Sequence, residues 1–64
     1  MKKFVVESRG FYDSWSPLKE FKTLKEASTY KGVLIPEKDV EYRIVKVETV
    51  TETFERRQMI YERT

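Results

Sequence analysis

The segment Thr23-Leu24-Lys25-Glu26 predicts where the chain's helix begins. A threonine followed three residues later by a glutamate forms a capping box. The Thr23 hydroxyl accepts from the Glu26 N–H group, and the Glu26 carboxylate reaches back to the Thr23 N–H group. A helical stripe follows, formed by Leu24, Ala27 and Lys31 and widened by Tyr30 and Leu34. Gly32 suits the C′ position and Pro36 prevents continuation, so the sequence predicts a helix over residues 24–32.

Strand patterns flank this helix on both sides. Residues 3–9 alternate and contain β-branched valines, and residues 18–22 are a shorter candidate that can pair with them as a hairpin. Asp, Ser and Pro residues mark the intervening segment as a loop, and Pro17 disfavours a central strand there. Residues 40–50 are the main strand, whose apolar residues change faces partway along, which indicates a central strand or a bulge.

The order of these segments predicts an α+β fold. A small antiparallel sheet carries one helix on one face in the order β-β-α-β, and the tail after about residue 54 is either a strand or a short helix. We expect the buried face to contain four strand residues and three helix-side residues: Phe4, Val6, Val45, Val47, Leu24, Ala27 and Leu34.

Size and composition limit the class of protein. The 64 residues predict a single domain, 1–64, since two domains would each be too small to support a core. Thirteen Lys and Arg against eleven Asp and Glu give a net charge of only +2, which does not favour a nucleic-acid binder. The apolar run Phe4-Val5-Val6 is too short for a signal peptide or a membrane span. We therefore expect a cytoplasmic protein with no membrane partner, and the absence of cysteine fits a reducing compartment.

Catalysis is disfavoured by the residue types present. The chain has no His and no Cys, which removes the commonest general base and the thiolate ligands of metals. Glu37, Asp39 and Glu41 alternate and could hold a divalent cation through their oxygens. A solvated turn before a strand is the favoured interpretation, because surface carboxylates are abundant. The two glycines, Gly10 and Gly32, do not form a phosphate-binding loop. We expect no enzymatic activity, no cofactor and no metal.

The loop after the first strand contains the main candidates for partner binding: Arg9, Phe11, Tyr12 and Trp15. Arginine and aromatic residues are enriched in protein-interface hot spots, and they also stack on single-stranded bases. The alternative is that Phe11 and Trp15 fold inward and complete the core. At least one of the three aromatic residues should remain accessible, Tyr12 first, because its hydroxyl tolerates water.

The basic pair Arg56-Arg57 is a second candidate for partner binding. It could contact phosphates, but the neighbouring glutamates largely cancel its field, so simple solvation is favoured: Glu52, Glu55 and Glu62.

The chain resembles a layout common in small phage and prophage open reading frames. The resemblance covers roughly residues 3–50 and rests on Trp15, on the run Glu20-Phe21-Lys22-Thr23-Leu24-Lys25-Glu26-Ala27, and on Tyr42-Arg43-Ile44-Val45-Lys46-Val47-Glu48. Proteins of this layout that are understood tend to bind and block a host protein, such as RNA polymerase or a defence nuclease. The chain departs from the layout in its long charged tail after Val50.

The resemblance implies a small phage-type accessory protein that binds and occludes another protein, one of a bacterial host, through exposed aromatics and a sheet edge. Two alternatives stay open. One is a nucleic-acid-binding module that uses the loop aromatics and the arginines. The other is a structural homo-oligomer paired through an edge strand.

Overall fold

The computed structural model describes residues 1–10, 13–35 and 38–60, whose elements follow the order β-β-α-β-β. The elements are β1 (Lys2–Arg9), β2 (Ser16–Phe21), α1 (Leu24–Val33), β3 (Glu41–Thr51) and β4 (Phe54–Ile60). The four strands form one antiparallel sheet in the order β2-β1-β3-β4. The α+β class and the β1–β2 hairpin are confirmed. The order β-β-α-β is extended by a fourth strand, because the tail, for which the sequence left a strand or a short helix open, pairs with β3.

Helix α1 begins where the capping box predicts. Thr23 is the N-cap in extended conformation, and its hydroxyl oxygen accepts from the Glu26 N–H group at 3.2 Å. The same hydroxyl donates to the Glu26 carboxylate at 3.0 Å. The helix ends one residue beyond the predicted 24–32, and the predicted C′ role of Gly32 was wrong, because Gly32 lies inside the helix and its φ is not positive. The chain leaves α1 through Leu34 in an extended conformation, with the Leu34 N–H group donating to the Lys31 carbonyl, so no left-handed glycine is needed.

The main core lies between the sheet and α1. Phe4 and Val6 of β1 pack with Ile44 of β3 and Ala27 of α1, and all four side chains are buried. Four partly buried residues pack around them: Phe21, Tyr30, Leu34 and Ile60. This confirms Phe4, Val6 and Ala27 as core residues. Leu24 is 38% exposed, so its predicted place in the core was wrong.

Val45 and Val47 are buried on the opposite face of the sheet from Phe4 and Val6, which corrects the predicted core. Val6 pairs with Ile44, and Val5 pairs with Val45. Since successive side chains of a strand point to opposite faces, Val45 and Val47 join Val5 in a second cluster away from α1. β3 is a central strand with apolar residues on both faces, as the mid-strand change of face indicated.

The two edges of the sheet differ in their protection. Pro17 lies in β2, an edge strand, and pairs with Glu7 where the register shifts between Val6 and Glu7. Proline fits such a position because it has no N–H group to donate. β4 forms the other edge, and over Phe54–Ile60 it contains no proline. Within the residues described, no helix is both long enough and apolar enough to cross a bilayer.

Candidate protein-binding face

The face of the sheet opposite α1, here called the helix-free face, has an apolar floor with a charged surround. Val5, Val45 and Val47 form the floor and are only 4%, 3% and 3% exposed. Long side chains from all four strands and from the β1–β2 loop cover these valines and line a shallow pocket of about 340 Å³: Lys3, Glu7, Trp15, Pro17, Glu20, Arg43, Glu55 and Arg57. Buried valines beneath charged side chains make this face a second, smaller core with a charged outer surface.

Glu7 is the centre of the charged surround. Its carboxylate is buried, with the residue 4% exposed, and it accepts from Arg43 Nε at 2.8 Å and from Arg57 Nη2 at 2.7 Å. Arg43 lies directly across from Glu7 on β3, whereas Arg57 reaches it from β4, two strands away. A buried carboxylate needs such charge-assisted donors, since burying an unpaired charge is very costly. The three side chains therefore tie β1, β3 and β4 together over the valine floor.

Trp15 lies at one end of this face against two arginines. The Arg43 guanidinium carbon is 4.1 Å from the Trp15 ring centroid, and that of Arg9 is 4.9 Å away. Both distances are within the range of a cation–π interaction. Arg9 is itself fixed by Glu41, its cross-strand partner, at 3.2 Å. The indole ring is half-buried, so part of it remains on the surface.

The opposite end of the helix-free face contains the Lys3–Glu20 ion pair. Lys3 Nζ donates to Glu20 Oε1 at 2.9 Å between two exposed side chains. The hydrogen bond to Glu20 raises the pKa of Lys3 above its ordinary value of 10.5, and the nearby charge of Glu55 adds to the rise. Four cations of this face each have a carboxylate partner among the described residues: Lys3, Arg9, Arg43 and Arg57. The face therefore has little net charge.

The structure brings three of the predicted partner-binding residues together. Arg9, Trp15 and Arg57 all belong to the helix-free face. Arg56 lies across from Glu48 on the other face and is exposed. Phe11 and Tyr12 lie outside the described residues.

The alternating carboxylates of the turn before β3 lie partly outside the described residues. Glu37 lies outside the described residues, and Glu41 pairs with Arg9. Across residues 1–10, 13–35 and 38–60, no group of three acidic side chains is placed to hold a metal ion.

Sequence reasoning missed the two residues that organise the face, Glu7 and Arg43. Each is a charged residue inside a run of strand formers, Glu7 after Val5-Val6 and Arg43 before Ile44-Val45. A charge at a position that alternation places beside buried residues is unusual, and opposite signs on two pairing strands indicate an ion pair. The sequence therefore contained the two opposite charges, but only the pairing register shows that Glu7 and Arg43 lie across from each other.

Comparison of the chain with protein-family models, with curated proteins and with solved structures finds no match in any of the three.

Proposed function

We propose that this protein is a small non-enzymatic binding module whose helix-free face docks onto another protein and occludes it. The observation that carries the proposal is the position of Trp15, half-buried against the guanidinium groups of Arg9 and Arg43 on the uncovered face of the sheet. Tryptophan and arginine are the residues most enriched in interface hot spots. Holding them in fixed positions before binding reduces the entropy lost on association.

The charge pattern favours a protein partner over nucleic acid. Nucleic-acid binding draws its affinity from cations that neutralise phosphates. On this face Arg9, Arg43 and Arg57 each already contact a carboxylate of the same chain. Phosphates would have to compete with Glu41 and with the buried Glu7 for these donors. A face whose charges are paired, with a tryptophan stacked against arginines, presents residue types that are enriched at protein interfaces.

The dimensions of the molecule suit occlusion. Its principal extents are 38 × 26 × 19 Å, so its broadest side measures 38 × 26 Å. A standard interface buries roughly 800 Å² on each partner, close to the area of such a broad side. Docking through the helix-free face would cover a comparable patch of the partner and block whatever binds there. The resemblance to small phage proteins suggests a bacterial host protein as that partner.

The test is capture of a partner from bacterial lysate by the immobilised protein, compared with its Trp15→Ala variant. Val33→Ser is the matched control, because Val33 is 71% exposed and lies on α1, away from the helix-free face. Circular dichroism establishes that all three proteins are folded. We expect one stoichiometric protein to be retained by the parent and by Val33→Ser and to be lost by Trp15→Ala.

Two results would contradict the proposal. Equal capture by the parent and Trp15→Ala would remove the helix-free face as the binding surface. Retention of nucleic acid with a steep loss in salt, and of no protein, would favour the nucleic-acid alternative.

A further inference from the structure

The free edge of β4 is the least protected part of the described sheet. β4 pairs with β3 on one side only, and its other side presents unpaired backbone groups. α1 packs against β1, β2 and β3, and in β4 only Ile60 packs against the main core. From Phe54 to Met59 every residue is exposed, including Phe54 at 54% and Met59 at 41%. An exposed strand edge of this kind is a template for pairing with another strand.

The opposite edge shows how this fold protects a strand. β2 carries Pro17, which cannot donate a backbone hydrogen bond, and a register shift beside it. Both features discourage another strand from adding there. β4 has neither over Phe54–Ile60, and the register shift of the β3–β4 pair lies before it, between Thr49 and Thr51. One edge is therefore closed to pairing while the other is open.

The charges of β4 are self-complementary in one register. If two copies of β4 pair antiparallel with Arg56 on the two-fold axis, Glu55 of each chain lies directly across from Arg57 of the other. Glu55 and Arg57 both belong to the helix-free face, so the two cross-strand ion pairs form on the same side of the joined sheet. With Arg57 or Glu55 on the axis, like charges would face each other and these pairs would be lost.

The one like-charge contact in this register is between the two Arg56 side chains. It lies on the other face of the sheet, where Glu48 of β3 stands directly across from each Arg56 and partly offsets the repulsion. Phe54 of each strand would pack across from Gln58 of the other on that face, which reduces the exposure of the Phe54 ring.

We propose that the occupant of the β4 edge is a second copy of this chain. Two chains join through antiparallel β4 strands with Arg56 at the two-fold axis and form one continuous eight-stranded sheet. The dimer is held by backbone hydrogen bonds across the new strand pair, and its register is set by the two Glu55–Arg57 ion pairs. Arg57 keeps its hydrogen bond to Glu7 through Nη2, and the remaining N–H groups of its guanidinium are the donors to Glu55 of the second copy. Such a dimer requires no protein partner at the helix-free face. It would present that face twice.

Sedimentation of the purified protein over a wide concentration range tests the dimer. We expect the mass to rise from one chain to two. Glu55→Arg places like charges across both former ion pairs and should raise the dissociation constant about tenfold or more. Arg56→Gln removes the repulsion at the axis and should lower it. Asp13→Arg, with the same change of charge on an exposed residue of the β1–β2 loop, should leave it unchanged.

Disulfide trapping tests the register, since the chain has no cysteine of its own. Only a residue on the two-fold axis lies directly across from itself, at a spacing that a disulfide can bridge. Arg56→Cys should form a covalent dimer faster than Glu55→Cys or Arg57→Cys. A faster reaction at position 55 or 57 would overturn the register. A constant monomer mass for the parent and for Arg56→Gln would overturn the dimer itself.

Discussion

The Glu7 carboxylate accepts a hydrogen bond from Arg57 at 2.7 Å, although 50 positions separate the two residues in the chain. β3 lies between their strands, so the contact crosses the sheet diagonally instead of following the ladder. With Arg43 as its second donor, at 2.8 Å, Glu7 links the first and last strands of the fold. The helix-free face therefore depends on one buried carboxylate.

Replacing that carboxylate with its neutral isostere should destabilise the protein. Glu7→Gln keeps the shape but removes the charge that both arginines contact, and we expect a loss of about 1–3 kcal/mol in the free energy of unfolding. Because Arg43 stacks on Trp15, the only tryptophan of the chain, the native fluorescence should also change. Urea titration followed by Trp15 emission measures both effects.

Glu48→Gln is the control for this experiment. Glu48 is half-buried with its side chain 40% exposed, and its carboxylate lies 3.8 Å from Lys46 Nζ, so its loss should change stability by less than about 0.5 kcal/mol. Equal stability of the two variants would mean that the Glu7 contacts contribute nothing net.

Two aspartate substitutions in the valine floor should lower the free energy of unfolding by different amounts. Val45→Asp places a charge between Val5 and Met59, where no cation faces it across the strands, and should cost about 3 kcal/mol or more. Val47→Asp places the same charge between Lys3 and Arg57, so it should be destabilising by a smaller amount. Circular dichroism during urea unfolding shows which of the two variants loses more stability. A more severe effect at Val47 would contradict the strand register.

The helix cap gives a local prediction. Thr23→Ala removes the acceptor for the Glu26 N–H group and should lower stability by about 0.5–2 kcal/mol. Thr29→Ala is the matched control, since the Thr29 hydroxyl donates to the Lys25 carbonyl within the helix, a bond that adds little. Thermal unfolding should show a loss for the first variant and little change or a small gain for the second. Identical melting of Thr23→Ala and the parent would show that the cap does not stabilise α1.

The turn before β3 contains a residue in the left-handed region. Asp39 has φ of 69°, which aspartate tolerates better than branched residues do. Asp39→Val should therefore destabilise the protein by about 1–2 kcal/mol. Asp39→Gly should be neutral or stabilising, because glycine adopts positive φ without a Cβ clash. Equilibrium unfolding should show that Asp39→Val lowers the free energy of unfolding and that Asp39→Gly leaves it unchanged or raises it. Equal losses of stability in the two variants would contradict the turn geometry.

The Lys3–Glu20 pair predicts a small stability change at alkaline pH. Since the folded-state pKa of Lys3 is raised above 10.5, the pair contributes fully below pH 10.5 and is lost as pH rises through the raised value. Both side chains are exposed, so the contribution should be less than about 1 kcal/mol and should weaken in salt. The stability difference between the parent and Glu20→Gln should therefore shrink above pH 10.5. A difference independent of pH would assign the effect to packing.

The features that the sequence predicted correctly are those fixed by neighbouring residues. The N-cap at Thr23 depends on four consecutive positions, and the β1–β2 hairpin depends on two nearby segments and a loop between them. Pro17 could be assigned away from the sheet centre because its missing N–H group is a local property. Such features need no knowledge of the rest of the fold.

Tertiary structure decided which face each apolar residue occupies. Successive residues of a strand face opposite sides of the sheet, and β3 has apolar residues on both sides, Ile44 on one and Val45 and Val47 on the other. The sequence alone therefore permitted Val45 and Val47 to join either core. Pairing of Val5 with Val45 placed them opposite α1. The tail became β4 instead of a helix because β3 offered a free edge that satisfies its backbone groups. Glu7, Arg43, Arg57 and Trp15 meet only after the strands are in register, since their contacts join segments that have no local relationship in the chain.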